Sequence, residues 1–169
     1  MPDLELKAAP LTRQAFAPFG EVIELSEHNE IIPINYGLTE RHHDLATVDV
    51  ASAGGKPIIS LFHSRSVSVP FKVEIMERHP LGSQTFFGLG GHPYLVVVGA
   101  AGEFNPMALR AFIARGNQGV NYHRGTWHHY CLSLEQDNDF LVVDRGGAGD
   151  NCDEVSVPVD LNITVSISR

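Results

Sequence analysis

From Ile58 onward the chain is written in short apolar runs, each cut off within a few residues by glycine, proline or asparagine. Segments 58–62, 71–77, 83–89, 94–100, 109–113, 130–134 and 139–144 either alternate apolar with polar side chains or are rich in β-branched and aromatic residues. Those are the patterns left by half-buried and fully buried strands. The run 94–100 (Tyr-Leu-Val-Val-Val-Gly-Ala) carries the densest β-branched content. Repeated units of strand and long helix are missing, which argues against a doubly wound parallel sheet. Many short strands between glycine-rich turns predict an antiparallel barrel or sandwich.

The first 57 residues fit the same plan. Segment 4–8 alternates like an opening strand, and Thr12 is placed to cap one short helix that ends near Pro18 and Gly20. Segments 21–25, 30–38 and 47–50 read as strands, and 51–57 reads as a turn. Between them lies Glu40-Arg41-His42-His43-Asp44, either an exposed polar loop or one rim of a pocket. The tail 161–167 alternates as a last strand, pairing at an edge or across an interface.

A chain of 169 residues supports one domain, taken here as 1–169. With 43% apolar and 19% charged residues it has the material for a packed core. A net charge of −8 without any basic run excludes nonspecific binding to nucleic acid, which needs cations to displace phosphate counterions. An anionic small molecule remains admissible, since one arginine can reverse the local potential. The N-terminus shows neither a basic region nor an apolar targeting core, and the longest apolar run, 94–101, is too short to span a bilayer. The expectation is no membrane association and a cytoplasmic location. Cys131 and Cys152 form neither a disulfide framework nor a C-x-x-C pair, and read as small side chains rather than chemistry.

Two segments concentrate the chemistry. Glu77-Arg78-His79-Pro80-Leu81-Gly82-Ser83-Gln84 offers a carboxylate, an imidazole and an amide. Alternate residues of a strand share a face, so Glu77 and His79 point together, with Gln84 returning on the next strand. On the phase set by Phe71, Val73 and Ile75, both continue the inward face. A carboxylate on a core-facing position needs a partner or a shifted pKa. The second segment, Gly119-Val120-Asn121-Tyr122-His123-Arg124-Gly125-Thr126-Trp127-His128-His129, places His128 just past a turn built on Gly125. His129 alternates with His128 and faces the other way, and Trp127 reads as wall packing. The glycine-rich stretch after Arg145 lacks the lysine and helix of a phosphate loop.

Ligands on one strand at offsets of zero, two and seven, followed by a histidine after a turn, resemble the cupin arrangement. Glu77 stands where the first cupin histidine is expected, His79 matches the second, Gln84 takes the glutamate position and His128 matches the last histidine. A fuller match joins these two segments to Phe19-Gly20-Glu21-Val22-Ile23, Asp144-Arg145-Gly146-Gly147 and Asp150-Asn151-Cys152. Together they resemble the ureidoglycolate lyase family, formerly often labelled ureidoglycolate hydrolase, nearly end to end.

The resemblance implies a cupin-like antiparallel β-barrel (a double-stranded β-helix) with a few short helices. It further implies a cytoplasmic homodimer of allantoin and purine catabolism that splits (S)-ureidoglycolate into glyoxylate and urea. A divalent metal, nickel first and manganese or zinc as alternatives, would be held by Glu77, His79, Gln84 and His128. The reaction is an elimination: a base takes the carbinol proton and an acid protonates the departing urea nitrogen, work that suits imidazole near neutral pH. Glu77, His79, His128 and His123 are the candidates for it. Gln84 would orient substrate, and the substrate carboxylate asks for a two-point arginine, Arg124 first, with Arg145 and Arg41 as rivals. Two other readings compete: another cupin-type lyase, isomerase or hydrolase acting on a small carboxylated substrate, and a noncatalytic barrel that binds a small molecule.

Overall fold

The computed structural model describes residues 3–168. Four sheets organise them. A five-stranded sheet runs in the order Gly20–Ile23, Gly119–Tyr122, Gln84–Gly88, Asn138–Gly146, Lys56–Ser64. A seven-stranded sheet runs Asp153–Ser156, Ile75–Arg78, Trp127–His128, Tyr94–Gly99, Arg110–Ala114, Ala9–Pro10, with Leu132–Ser133 also paired to Tyr94–Gly99. Asn162–Ser166 is the centre of a three-stranded sheet between Asp3–Lys7 and Phe71–Lys72, and Glu30–Ile34 pairs with Thr39–His43 in a hairpin.

Every residue of Tyr94–Gly99 is buried, and its two faces feed different cores. Tyr94, Val96 and Val98 pack with Phe86, Val120, Tyr122, Phe140 and Val142 of the five-stranded sheet. Leu95 and Val97 pack with Leu6, Ile163 and Val165 of the three-stranded sheet. The seven-stranded sheet is therefore the middle of three layers, which is why its central strand is apolar at consecutive positions rather than alternate ones. Each valine so buried contributes about 1.5–3 kcal/mol.

This layering overturns the closed antiparallel β-barrel. A barrel strand has one inner face, whereas Tyr94–Gly99 has two. The sheets stay open: the five-stranded one ends at Gly20–Ile23 and Lys56–Ser64, and no ladder joins it to another sheet among the described residues. Nor is pairing wholly antiparallel. Asp3–Lys7 runs parallel to Asn162–Ser166, and Ala9–Pro10 parallel to Arg110–Ala114. The protein is β-rich, with one short helix, Arg13–Phe16, capped by the Thr12 hydroxyl, which accepts from the Ala15 amide at 3.2 Å. No helix among the described residues is long and apolar enough to cross a membrane.

Three local expectations also change. Segment 71–77 is split, because after Val73 the chain leaves the three-stranded sheet and enters the seven-stranded one as Ile75–Arg78. The buried phase slips there, from Val73 to Met76, both in the same core. Glu77 lies on the opposite face from Met76, towards the five-stranded sheet. The polar segment 40–44 is largely a strand, Thr39–His43, rather than a loop. Segment 47–50 forms no strand and becomes part of an irregular strap, tied to Ser83 through the Asp49 backbone.

Candidate functional site

The three-strand row across the edge of the middle sheet sets out the site. Glu77 on Ile75–Arg78 pairs in register with His128 on one side and Glu154 on the other. Gly125, at φ 80°, closes the turn that brings Trp127–His128 back, and its amide donates to the His79 carbonyl at 3.0 Å. A left-handed residue is needed there, and glycine adopts it without steric penalty. That bond ties the two motif segments together. Glu77 Oε1 then stands 3.8 Å from His128 Nδ1 and 4.0 Å from His79 Nε2. One ligand atom from each of the three residues lies within 4.8 Å of the others.

His128 is 1% exposed and stacks flat on Tyr122, ring centroids 4.2 Å apart at 4°. Its Nδ1–H donates to the His129 carbonyl at 3.1 Å, leaving Nε2 buried without a partner. Burial, with His79 adding repulsion, pushes its pKa down to about 3. His128 is therefore neutral at physiological pH, a lone-pair donor and a poor proton carrier. His129 is also buried, but packs against Phe71 on the other face of the sheet, as alternation predicts. Desolvation lowers it to about 4.

Glu77 is displaced the other way. Burial raises its pKa, His79 and the Cys152 thiol 3.8 Å away pull it down, and Glu154 pushes it up. A carboxylate raised towards neutrality is a better base than a free one.

His79 is held at both ring nitrogens. Nδ1 meets the Asn151 carbonyl at 2.6 Å, and Nε2 meets Gln84 Oε1 at 3.0 Å. Gln84 cannot turn its amide around, because its Nε2 donates to Asp144 Oδ2 at 3.0 Å. Both nitrogens of His79 thus face acceptors, and a neutral ring has only one N–H. A second proton, or a cation shared by Nε2 and Oε1, satisfies that contact.

The set fits a divalent metal on this ground. An acceptor pair in need of a cation lies beside a half-buried carboxylate and a neutral buried imidazole, a mixed oxygen and nitrogen donor set suited to nickel, manganese or zinc. Ligand atoms at about 2.1 Å from one ion stand up to roughly 4.2 Å apart, and Glu77 Oε1 and His79 Nε2 are 4.0 Å apart. Glu77 also belongs to an outward cluster with Cys152 and Glu154.

The remaining candidates lie around this centre, not all within it. His123 Nε2 contacts Glu21 Oε2 at 3.1 Å. The same oxygen accepts from Asn121 Nδ2 at 2.8 Å, and Asn121 Oδ1 accepts from Thr85 at 2.8 Å. Gly20 permits this approach, for a Cβ there would sit 1.9 Å from the Asn121 carbonyl oxygen. Arg124 bonds to the Ser52 hydroxyl and, with Glu21, Asp49, Ser83 and His123, lines a cavity of about 470 Å³. Arg145 is buried with its fork on backbone, donating to the carbonyls of Ser52 at 2.9 Å, Ala53 at 3.3 Å and Ala148 at 2.9 Å. It pins the strap that also bonds Ser83 through Asp49. Arg41 stands on the exposed hairpin with no side-chain hydrogen bond or ion pair among the described residues.

A cavity of about 550 Å³ opens beside His123, Glu21, His43 and Arg13 rather than at Glu77. Glu77 and His128 border a smaller one of about 170 Å³ with Tyr130 and Glu154. The donor chemistry, not the volume, singles out the Glu77 centre. Asn151, Tyr122, Asn121 and Glu21, which the sequence marks only as part of the family resemblance, complete the surroundings, with Asp144, by sequence an imidazole-orienting candidate or a turn residue, on Gln84. A buried asparagine on an apolar strand was the available signal for Asn121.

A model of the ureidoglycolate lyase family matches residues 3–164. The chain is 51% identical over 159 residues to a protein named ureidoglycolate lyase from Burkholderia mallei strain NCTC 10229, covering 94% of this chain and 93% of that one. It is 54% identical over 151 residues to a protein of the same name from Burkholderia cepacia, covering 89% and 85%. Against the one from Pseudomonas paraeruginosa it is 53% identical over 150 residues, 88% of each. With so long a match and the motif residues gathered around one centre, the chain belongs to the ureidoglycolate lyase family.

Proposed function

We propose that this protein is a carbon–nitrogen lyase that eliminates urea from (S)-ureidoglycolate to give glyoxylate, as a step of allantoin and purine breakdown. The observation that carries the reading to particular residues is the Glu77, His79 and His128 centre in a chain of this family. Glu77 takes the carbinol proton, the carbinol oxygen forms its second bond to carbon, and the carbon–nitrogen bond breaks. The electron pair leaves on the urea nitrogen, which receives a proton from His79 Nε2. Glu77 Oε1 and His79 Nε2 are 4.0 Å apart, so after products leave the proton returns to His79 through one water between them. Water enters no bond in this sequence, and atoms balance as one ureidoglycolate to one glyoxylate and one urea.

His128 positions rather than titrates, given its pKa of about 3. In the alternative to direct proton transfer by Glu77 and His79, a divalent cation held by Glu77, His79, Gln84 and His128, nickel first and manganese or zinc next, would supply Lewis acidity at the carbinol oxygen. Arg124, in the cavity next to His79's turn, is the arginine for the substrate carboxylate. Its guanidinium is paired with no carboxylate among the described residues, whereas Arg145 is committed to backbone. His123, held by Glu21, stands at the same cavity wall.

The reading includes one domain over residues 1–169, a cytoplasmic setting and a homodimer. Support for the dimer comes from Lys56–Ser64, an edge strand with Ile59 72% and Leu61 69% exposed. Purified protein supplied with ureidoglycolate tests the function: glyoxylate and urea are expected in equal amounts without ammonia. Ammonia release would replace the lyase reading with hydrolysis.

A further inference from the structure

We infer that Asp144 is the anchor for the ureido group, a substrate-positioning carboxylate that determines specificity for a leaving group bearing N–H donors. The inference rests on the lyase reading above. Asp144 follows Phe140 and Val142, both fully buried, along the inner face of Asn138–Gly146. The neighbouring strand places Gln84 on that face, opposite Tyr122, against which His128 stacks. Asp144 thus stands directly behind Gln84, the side chain that meets His79.

Its two oxygens differ. Oδ2 accepts the Gln84 side-chain N–H at 3.0 Å. Oδ1 is sealed from solvent and has no hydrogen-bond partner among the described residues. A buried carboxylate oxygen without a donor is costly, so a site built this way is completed by a molecule that brings one. The Gln84 amide shows what kind, for a carboxamide N–H already fits Oδ2. The terminal N–H groups of a ureide are the same chemical group. The substrate's other end does not suit, because its carboxylate would be repelled. The carbinol hydroxyl goes to Glu77 in the reaction proposed. Asp144 therefore acts twice, fixing Gln84 so that its oxygen faces His79 and receiving the ureido N–H at Oδ1.

Product inhibition separates the two ends of the site, with urea well below denaturing concentration and glyoxylate as probes. Asp144→Asn keeps an oxygen for Gln84 but turns Oδ1 into an N–H donor. The expected result is a rise of roughly ten- to a hundredfold in the urea inhibition constant, with that of glyoxylate moving less than about threefold. KM for ureidoglycolate rises in parallel. Should Asp144→Asn not fold, Asp144→Ser, which also removes the charged acceptor, is expected to show the same selective loss. Unchanged urea inhibition, or equal weakening of both products, overturns the anchor while wild-type turnover leaves the lyase reading standing. A wild type that makes no glyoxylate and urea overturns both.

Discussion

Acid weakens this protein through two histidines that are buried neutral. His128 falls to about 3 and His129 to about 4 when folded, against about 6.5 in an unfolded chain. A lowered folded pKa on a histidine means that the unfolded state binds the proton first. Stability is therefore full above the unfolded value and is lost as pH falls from about 6.5 towards the folded values. At pH 5 each contributes a loss of about 2 kcal/mol, from about 1.5 units at 1.36 kcal/mol each, and the pair about 4 kcal/mol. For a chain of this length that is a fall of roughly 8–16 °C in Tm. Glu77 acts oppositely, because a raised carboxyl favours the folded state as pH falls through its range, and it offsets part of the loss. Urea denaturation of chelator-treated protein from pH 7.5 to 5 measures the slope, which should approach uptake of about two protons on unfolding. His129→Phe, which keeps the packing against Phe71, should remove about one of them. A stability flat between pH 7 and 5, or a slope unaltered in His129→Phe, would refute the assignment of both rings as buried and neutral.

Two further outcomes follow from the strap and the open edge. Arg145→Met removes the bonds to Ser52, Ala53 and Ala148. A destabilisation of about 2–4 kcal/mol is expected, since charged hydrogen bonds contribute about 1.5–3 kcal/mol each and the two exposed carbonyls rehydrate. Thermal melting should drop by roughly 5–15 °C, whereas an Arg145 that bound substrate would raise KM with melting unchanged. On the edge strand, Leu61→Lys places a charge on a surface 69% exposed and should shift light-scattering mass from dimer to monomer. A wild type already monomeric would remove the dimer from the account.

Much of the fold and part of the centre are legible in the residues, for reasons that differ by element. Short alternating runs fix strands because alternation is a local property, and the Thr12 cap is local too. Layering is not local. The consecutive apolar residues 94–99 mark a strand buried on both faces, which a closed barrel with a single inner face does not contain. The phase of 71–77 misled because the chain changes sheets inside it. In the site, Glu77, His79, Gln84 and His128 lie within two short segments, so spacing reveals them. Asp144 meets Gln84 across 60 residues of sequence and Asn151 meets His79 across 72, and no local pattern marks such contacts. Asp144 stands beside glycines like a turn residue, and Arg145 is a candidate for the substrate carboxylate by sequence; their bonds to Gln84 and to Ser52 come from distant segments.

The account's central claim is that Glu77 and its two histidines run an elimination. Ureidoglycolate labelled with carbon-13 at the ureido carbonyl, followed by NMR with wild type and Glu77→Gln, tests it most directly. The label should move into urea with wild type, and the variant should slow that transfer by about a hundredfold or more while melting normally. Label appearing in bicarbonate, or a Glu77→Gln enzyme as fast as wild type, would contradict it.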